Sequence, residues 1–191
     1  MGEKTKWKRN SKKCREFTSS SKSNYKKTEA KIKKVFKTTE KGVKCSKILS
    51  TLSLSPHFIG CFSQDTLVKL ELCYPCFLIV NIDSRNKQGS HWISIRIDKK
   101  QLEIFDPLGF KIFNWKNVPC KLLEFVHYHA LNKKILISPR IQPNNSYYCA
   151  LYCIFFTFFR NFNSFNRLCS LFSKNLHKND RRLFTLLDVR H

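Results

Sequence analysis

Residues 150–159, ALYCIFFTFF, make the longest apolar run in the chain, and such a run reads as a helix buried at the centre of a core. Its length is only about half of the ~20 residues that a membrane span requires, and Arg160 closes it. The lead-in, PNNSYYC, is polar. Pro143 breaks any preceding helix, Asn144, Asn145 and Ser146 are capping residue types, and Cys149 falls within the first helical turn. A plain core helix has no need of that lead-in, whereas a nucleophile at a helix N-terminus does. A thiol attacks as thiolate, and a helix N-terminus or a neighbouring imidazole lowers its pKa. A packing cysteine is the commoner outcome in such a run. The reading therefore turns on what else the chain sets beside Cys149.

CFLIVNI (76–82) is a short continuous apolar run, the pattern of a buried strand. HWISIRID alternates Trp92, Ser94, Arg96 against Ile93, Ile95, Ile97, with Gln88-Gly89 as the turn before it. QLEIFD is a third strand, stopped by a turn at Pro107 and Gly109, and KILIS a fourth. Helical spacing recurs at Ile48, Leu49 and Leu52 before Pro56, at 120–131, after Cys149, around 164–176 and at 181–188. Strands in the middle with helices at both ends predict an α+β fold. Seventeen Phe and three Trp in 191 residues are enough for the core of one domain. Residues 1–44 are Lys/Ser/Thr-rich and read as a disordered basic arm, leaving 45–191 as the domain. Within the arm, KWKRNSKK suits a nuclear-import or nucleic-acid patch, or simply a solvated tail.

The balance of 36 Lys+Arg against 13 Asp+Glu, a formal +23, attracts polyanions and says nothing about fold. The nine cysteines are an odd count, and no hydrophobic leader follows Met1. The expectation is an intracellular chain with free thiols, not a disulfide framework. The Met-Gly start lacks the Ser or Thr that a myristoylation signal wants, because Lys6 stands there.

His91 opens the alternating strand and Asp106 ends the next one. If 91–97 and 102–106 pair antiparallel across DKK, both residues lie at the same end of the sheet. A carboxylate there fixes the tautomer and orientation of the imidazole. Gln142 stands seven positions before Cys149 and has an amide N–H to offer an oxyanion, with the Cys149 backbone N–H as a second donor. Nucleophile, base, orienting acid and oxyanion donor are all present.

GSHWISIRI, FDPLGF and IQPNNSYYCALYC together resemble the adenovirus-type cysteine proteases (adenain), relatives of the ubiquitin-like-protein-specific proteases. The shared pattern is a Gly-x-His-Trp strand, a Phe-acid-Pro-x-Gly-Phe turn and Gln-x6-Cys. SPHFIGCF resembles the segment entering that domain, so the likeness runs from about 45 to 162 and more loosely to the end. It implies a mixed sheet flanked by helices, with Cys149 as nucleophile, His91 as general base, Asp106 as its partner and Gln142 as oxyanion donor. Trp92 would shape the cleft. It further implies substrates with glycine at the scissile bond, viral structural precursor proteins among them, stimulation by DNA, and residence in the host nucleus and virion. The chain departs from the family at Ala150, where Gly is usual, and at Asp106, where Glu is usual. The family's disulfide to a peptide cofactor uses a cysteine upstream of the Gln, and none lies between Cys120 and Gln142.

Other residues read as structural. His57, His127, His129 and His177 suit packing or surface positions, His191 is the C-terminal residue, and Cys153 shares a helical face with Cys149 as a packing residue. CYPC (73–76) has metal-site spacing but no second ligand pair, so no metal or cofactor is expected for the chemistry. A monomer without membrane attachment is expected. Two competing functions are an isopeptidase for ubiquitin-like modifiers and a basic DNA-binding protein on a protease scaffold.

Overall fold

The computed structural model describes residues 20–39, 42–67, 72–87, 89–109 and 118–187. The Met-Gly start, the KWKRNSKK run, Gln88, Phe110 and His191 lie outside them. In chain order the elements are α1 (Ser20–Thr38), α2 (Cys45–Leu52), β1 (Phe58–Ser63), β2 (Cys76–Asn81), β3 (Trp92–Ile97) and β4 (Gln101–Phe105). There follow α3 (Cys120–Ala130), β5 (Lys134–Ile137), α4 (Cys149–Phe159), α5 (Phe165–Ser170) and α6 (Asn179–Leu186). The sheet runs β1-β2-β3-β4-β5, with parallel pairs at its two margins and antiparallel pairs at its centre. This is the α+β architecture expected from the sequence, a mixed sheet flanked by helices.

Strand periodicity places the side chains. Cys76, Leu78 and Val80, with Ile93, Ile95, Ile97, Leu102 and Ile104, face one layer, where α3 supplies Leu122, Phe125 and Val126. Phe77, Ile79 and Phe105 face the other, against α4. Both faces are covered, which is why β2 is continuously apolar. The polar side of β3 is mostly covered, and its hydrogen bonds go to protein. The hydroxyls of Ser94 and Thr157 lie 2.8 Å apart, while Arg96 bonds Asp98 and Glu103. The β3–β4 pairing sets Ser94 opposite Phe105 and Ile97 opposite Leu102, so DKK is a hairpin connection as expected.

The N-terminal boundary needs correction. Residues 20–38 are helical, and Thr28, Ile32, Val35 and Phe36 are buried at the spacing of one helical face. Tyr25 stacks on Phe158 with ring centroids 4.9 Å apart, and Phe36 meets Phe184 edge-on at 5.5 Å. Each such side chain contributes about 1.5–3 kcal/mol on burial. The ordering entropy of this segment is therefore offset by tertiary contacts that its lysine-rich composition conceals. Strand β1 is a second element that the strand reading missed; only its resemblance to the family's entry segment had marked it.

No helix among the described residues is long and apolar enough to cross a membrane.

Candidate active site

His91 is the residue immediately before β3, and its carbonyl accepts the Ile82 N–H at 3.0 Å, tying it to the end of β2. The chain reaches it through Gly89 at φ +85°, where a Cβ would stand 2.5 Å from the Asn81 side-chain nitrogen. Only glycine fits that approach. Asp106 follows β4 directly and is wholly buried. The Ser138 hydroxyl accepts the Asp106 N–H and donates to the Asp106 carbonyl, both at 2.8 Å. The carboxylate accepts the Leu108 N–H at 2.9 Å and lies 2.6 Å from His91 Nε2. The turn after it is fixed by Gly109 at φ +67°, packed so closely on Arg140 that a Cβ would lie 2.5 Å from that residue's Cβ. Ile141 and Gln142 both donate their N–H to the Pro107 carbonyl, at 2.9 and 2.8 Å. The acid's turn and the segment carrying Gln142 are thus one hydrogen-bonded unit.

Cys149 is the first residue of α4, 8% exposed, and its thiol interacts electrostatically with the His91 imidazole. With Nε2 directed at Asp106, the ring presents Nδ1 to the sulfur. The backbone N–H groups of the first turn of α4 have no intrahelical acceptor, so the helix directs partial positive charge to the same place. Burial pulls the His91 pKa down. The hydrogen bond to Asp106, its negative charge and the interaction with Cys149 together outweigh it and raise the imidazole to about 9. His91, Trp92, Gln142 and Cys149 line a cleft of about 1020 Å³. Every residue named from the sequence for the chemistry is therefore brought together, Asp106 from behind the imidazole.

Three details differ from the sequence reading. The cap of α4 is Tyr148, with no side-chain capping bond, and Ser146 instead accepts the Tyr148 N–H at 3.3 Å and donates to Asp180 at 3.0 Å. One N–H of the Gln142 amide is already committed to the Ser146 carbonyl at 2.8 Å, which leaves its second N–H for a ligand. Ala150 is wholly buried among the core residues and is absent from the cleft lining. Ser138 and Asp180 were not picked out from sequence, because each acts through a partner more than thirty residues away.

Cys153 donates its S–H to the Trp92 carbonyl at 3.2 Å, and burial pushes its pKa well up, so it is a packing thiol as expected. His129 packs against Phe125 with ring centroids 4.5 Å apart. Cys76 is a free thiol. Among the described residues no group of three or more His, Cys, Asp or Glu side chains is arranged to hold a metal.

The raised His91 pKa makes stability pH-dependent. The folded state binds the proton more tightly than the unfolded chain, so this contribution is full below about pH 6.5 and is lost as pH rises through about 9. Thermal unfolding should show a fall in Tm across that window that is shallower in His91→Gln. Parallel slopes for the two proteins would contradict the charged-histidine geometry.

A thiol, an imidazole and a carboxylate thus stand together at the N-terminus of α4. The adenovirus endoprotease family profile matches residues 58–176, well over half of the chain, and the protein belongs to that family. The resemblance read from the His, Asp and Cys motifs is borne out. The protease of bovine adenovirus 7 is 29% identical over 133 residues, covering 58% of this chain and 59% of the relative. That of bovine adenovirus 4 is 28% identical over 133 residues, covering 58% and 60%. The chain thus spans about three fifths of the length of the relatives it matches. Among solved structures, an ASFV protease aligns with TM-score 0.43 and 18% identity over 63% of this chain and 47% of the other. ChlaDub1 from Chlamydia trachomatis aligns with TM-score 0.41 and 14% identity over 88% and 76%.

Proposed function

We propose that the protein is a thiol endopeptidase that hydrolyses peptide bonds at glycine-containing sites and processes viral structural precursor proteins. The observation that carries this reading is His91, held 2.6 Å from a buried carboxylate and lining one open cleft with Cys149, whose thiol it senses electrostatically. His91 holds the proton of the Cys149 thiol, and the sulfur attacks the scissile carbonyl carbon. The oxyanion so formed takes hydrogen bonds from the free N–H of Gln142 and from the backbone N–H of Cys149. His91 then delivers its proton to the leaving amine as the C–N bond breaks, and water hydrolyses the thioester with His91 as base. Asp106 keeps Nδ1 turned to sulfur and supports the imidazolium.

DNA stimulation fits the same reading. Helix α1 turns Lys22, Lys26, Lys27, Lys34 and Lys37 to solvent, a row that complements a phosphate backbone. Packed on α4 through Tyr25 and Phe158, the row is coupled mechanically to the helix that carries Cys149.

The test is hydrolysis of fluorogenic peptides with and without glycine beside the scissile bond, alongside modifier conjugates ending in Gly-Gly, each with and without duplex DNA. Cleavage confined to glycine-containing peptides, raised by DNA and losing that stimulation steeply with salt, is expected. Activity confined to the conjugates would replace this reading with the isopeptidase one. DNA binding without any turnover would replace it with a binding protein.

A further inference from the structure

The orientation of the Gln142 amide rests on one contact. Its Nε2 donates to the Ser146 carbonyl at 2.8 Å, whereas its Oε1 is buried without a hydrogen-bond partner. The opposite orientation would set two oxygens against each other, so the Ser146 carbonyl decides where the remaining N–H points. Ser146 is held in turn from α6. Its hydroxyl donates to Asp180 Oδ1 at 3.0 Å, and the same oxygen accepts the Tyr152 hydroxyl of α4 at 2.9 Å. Tyr152 lies less than one turn beyond Cys149, so a single carboxylate oxygen ties the loop of Gln142 to the helix of Cys149. Next to it, Asn179 is wholly buried and donates from Nδ2 to the Ile141 carbonyl at 2.8 Å, fixing the residue before Gln142.

Helix α6 begins three residues past the end of the family match at residue 176. We propose that Asp180 is a positioning residue for the oxyanion site, acting through Ser146 to aim the Gln142 N–H at the cleft. This role rests on the peptidase function proposed above. It requires that Asp180 affect acyl transfer without affecting the nucleophilicity of Cys149. Alkylation by iodoacetamide separates the two, because displacement at a saturated carbon forms no oxyanion, whereas peptide cleavage does.

The experiment compares kcat and KM on a glycine-containing peptide, the Cys149 alkylation rate and Tm in five proteins: wild type, Asp180→Ala, Ser146→Ala, Asp180→Asn and Tyr152→Phe. Misaiming the donor is expected to lower kcat by about 10- to 100-fold in Asp180→Ala and Ser146→Ala, with alkylation unchanged. Asp180→Asn, which keeps the accepting Oδ1, should recover most of that loss. Tyr152→Phe, which leaves the Ser146 bond to Asp180 in place, should lower Tm and cost less kcat than Asp180→Ala. Should Asp180→Ala fail to fold, Ser146→Ala decides the question alone. Unchanged kcat, or alkylation falling in parallel with kcat, overturns the role while the peptidase reading stands. A wild type that alkylates but never cleaves overturns the peptidase reading and this role with it.

Discussion

Replacing His91 with alanine is expected to lower kcat/KM by about 10⁴-fold or more, the scale of losing a general base that also activates the nucleophile. A factor of 10⁴ corresponds to about 5.5 kcal/mol of transition-state stabilisation. The loss is large because His91 has two partners and serves both halves of the reaction. It stands between Asp106 and the Cys149 thiol, and in the proposed cycle it passes the thiol proton to the leaving amine and then takes one from water. Asp106→Asn should cost less, since an amide oxygen can still accept from the ring, but the negative charge behind the imidazole is gone. The alkaline limb of the pH–rate profile, set in the wild type by His91 near pH 9, should then move to lower pH. Progress curves at substrate concentrations well below KM, across the pH range, check both statements. A His91→Ala protein within tenfold of wild type (a gap of about 1.4 kcal/mol) would remove His91 from the chemistry.

The largest stability effect is expected at Glu103, which takes no part in the chemistry. Its carboxylate is wholly buried and takes Arg160 Nε at 2.8 Å and Nη2 at 2.6 Å, Arg96 Nη1 at 3.0 Å and Gln101 Nε2 at 2.7 Å. Arg160 is the C-cap of α4, so this cluster anchors the end of the helix opposite Cys149. Glu103→Ala leaves two mostly buried guanidinium groups without their shared counter-charge, and such a removal costs about 3–5 kcal/mol. For a chain of this size that lowers Tm by roughly 6–20 °C. Arg96→Ala should cost less, because Arg160 still closes a two-point bond with the carboxylate. Thermal unfolding followed by circular dichroism measures both. A Tm for Glu103→Ala within about 2 °C of wild type, less than the shift of 1 kcal/mol, would show that the cluster is not what holds α4 to the sheet.

The contrast between these two sites explains what was legible in the sequence. His91 and Asp106 could be set at one end of the sheet because a hairpin relates positions by simple counting, and β3 and β4 are joined by a short turn. The apolar run of α4 and the continuous β2 carry their burial in composition alone. Glu103 and Arg160 are 57 positions apart on different elements, and no local pattern distinguishes them from surface charges. Helix α1 was hidden for a related reason. Its buried Ile32, Val35 and Phe36 are diluted by lysines whose charged ends remain in water, so the segment looks too polar to order. Strand β1 contains Gly60 and has mixed burial, which weakens any period-two signal. Asn144, Asn145 and Ser146 read as cap candidates, but α4 starts three residues beyond Ser146, with Tyr148 as its cap. The turn they form is braced by α6, not by a cap, because the Ser146 hydroxyl is drawn to Asp180.

The most direct test of a Cys149 nucleophile is peptide mapping by mass spectrometry after exposure to a Gly-Gly vinyl-sulfone probe, with DNA present and absent. Cys73 and Cys120 are exposed thiols in the same molecule and serve as internal references for ordinary reactivity. One adduct per chain is expected, on Cys149, formed faster with DNA, lost in Cys149→Ala and strongly slowed in His91→Ala. Adducts on Cys73 or Cys120 with Cys149 unmodified, in a folded wild-type protein, would contradict a Cys149 nucleophile.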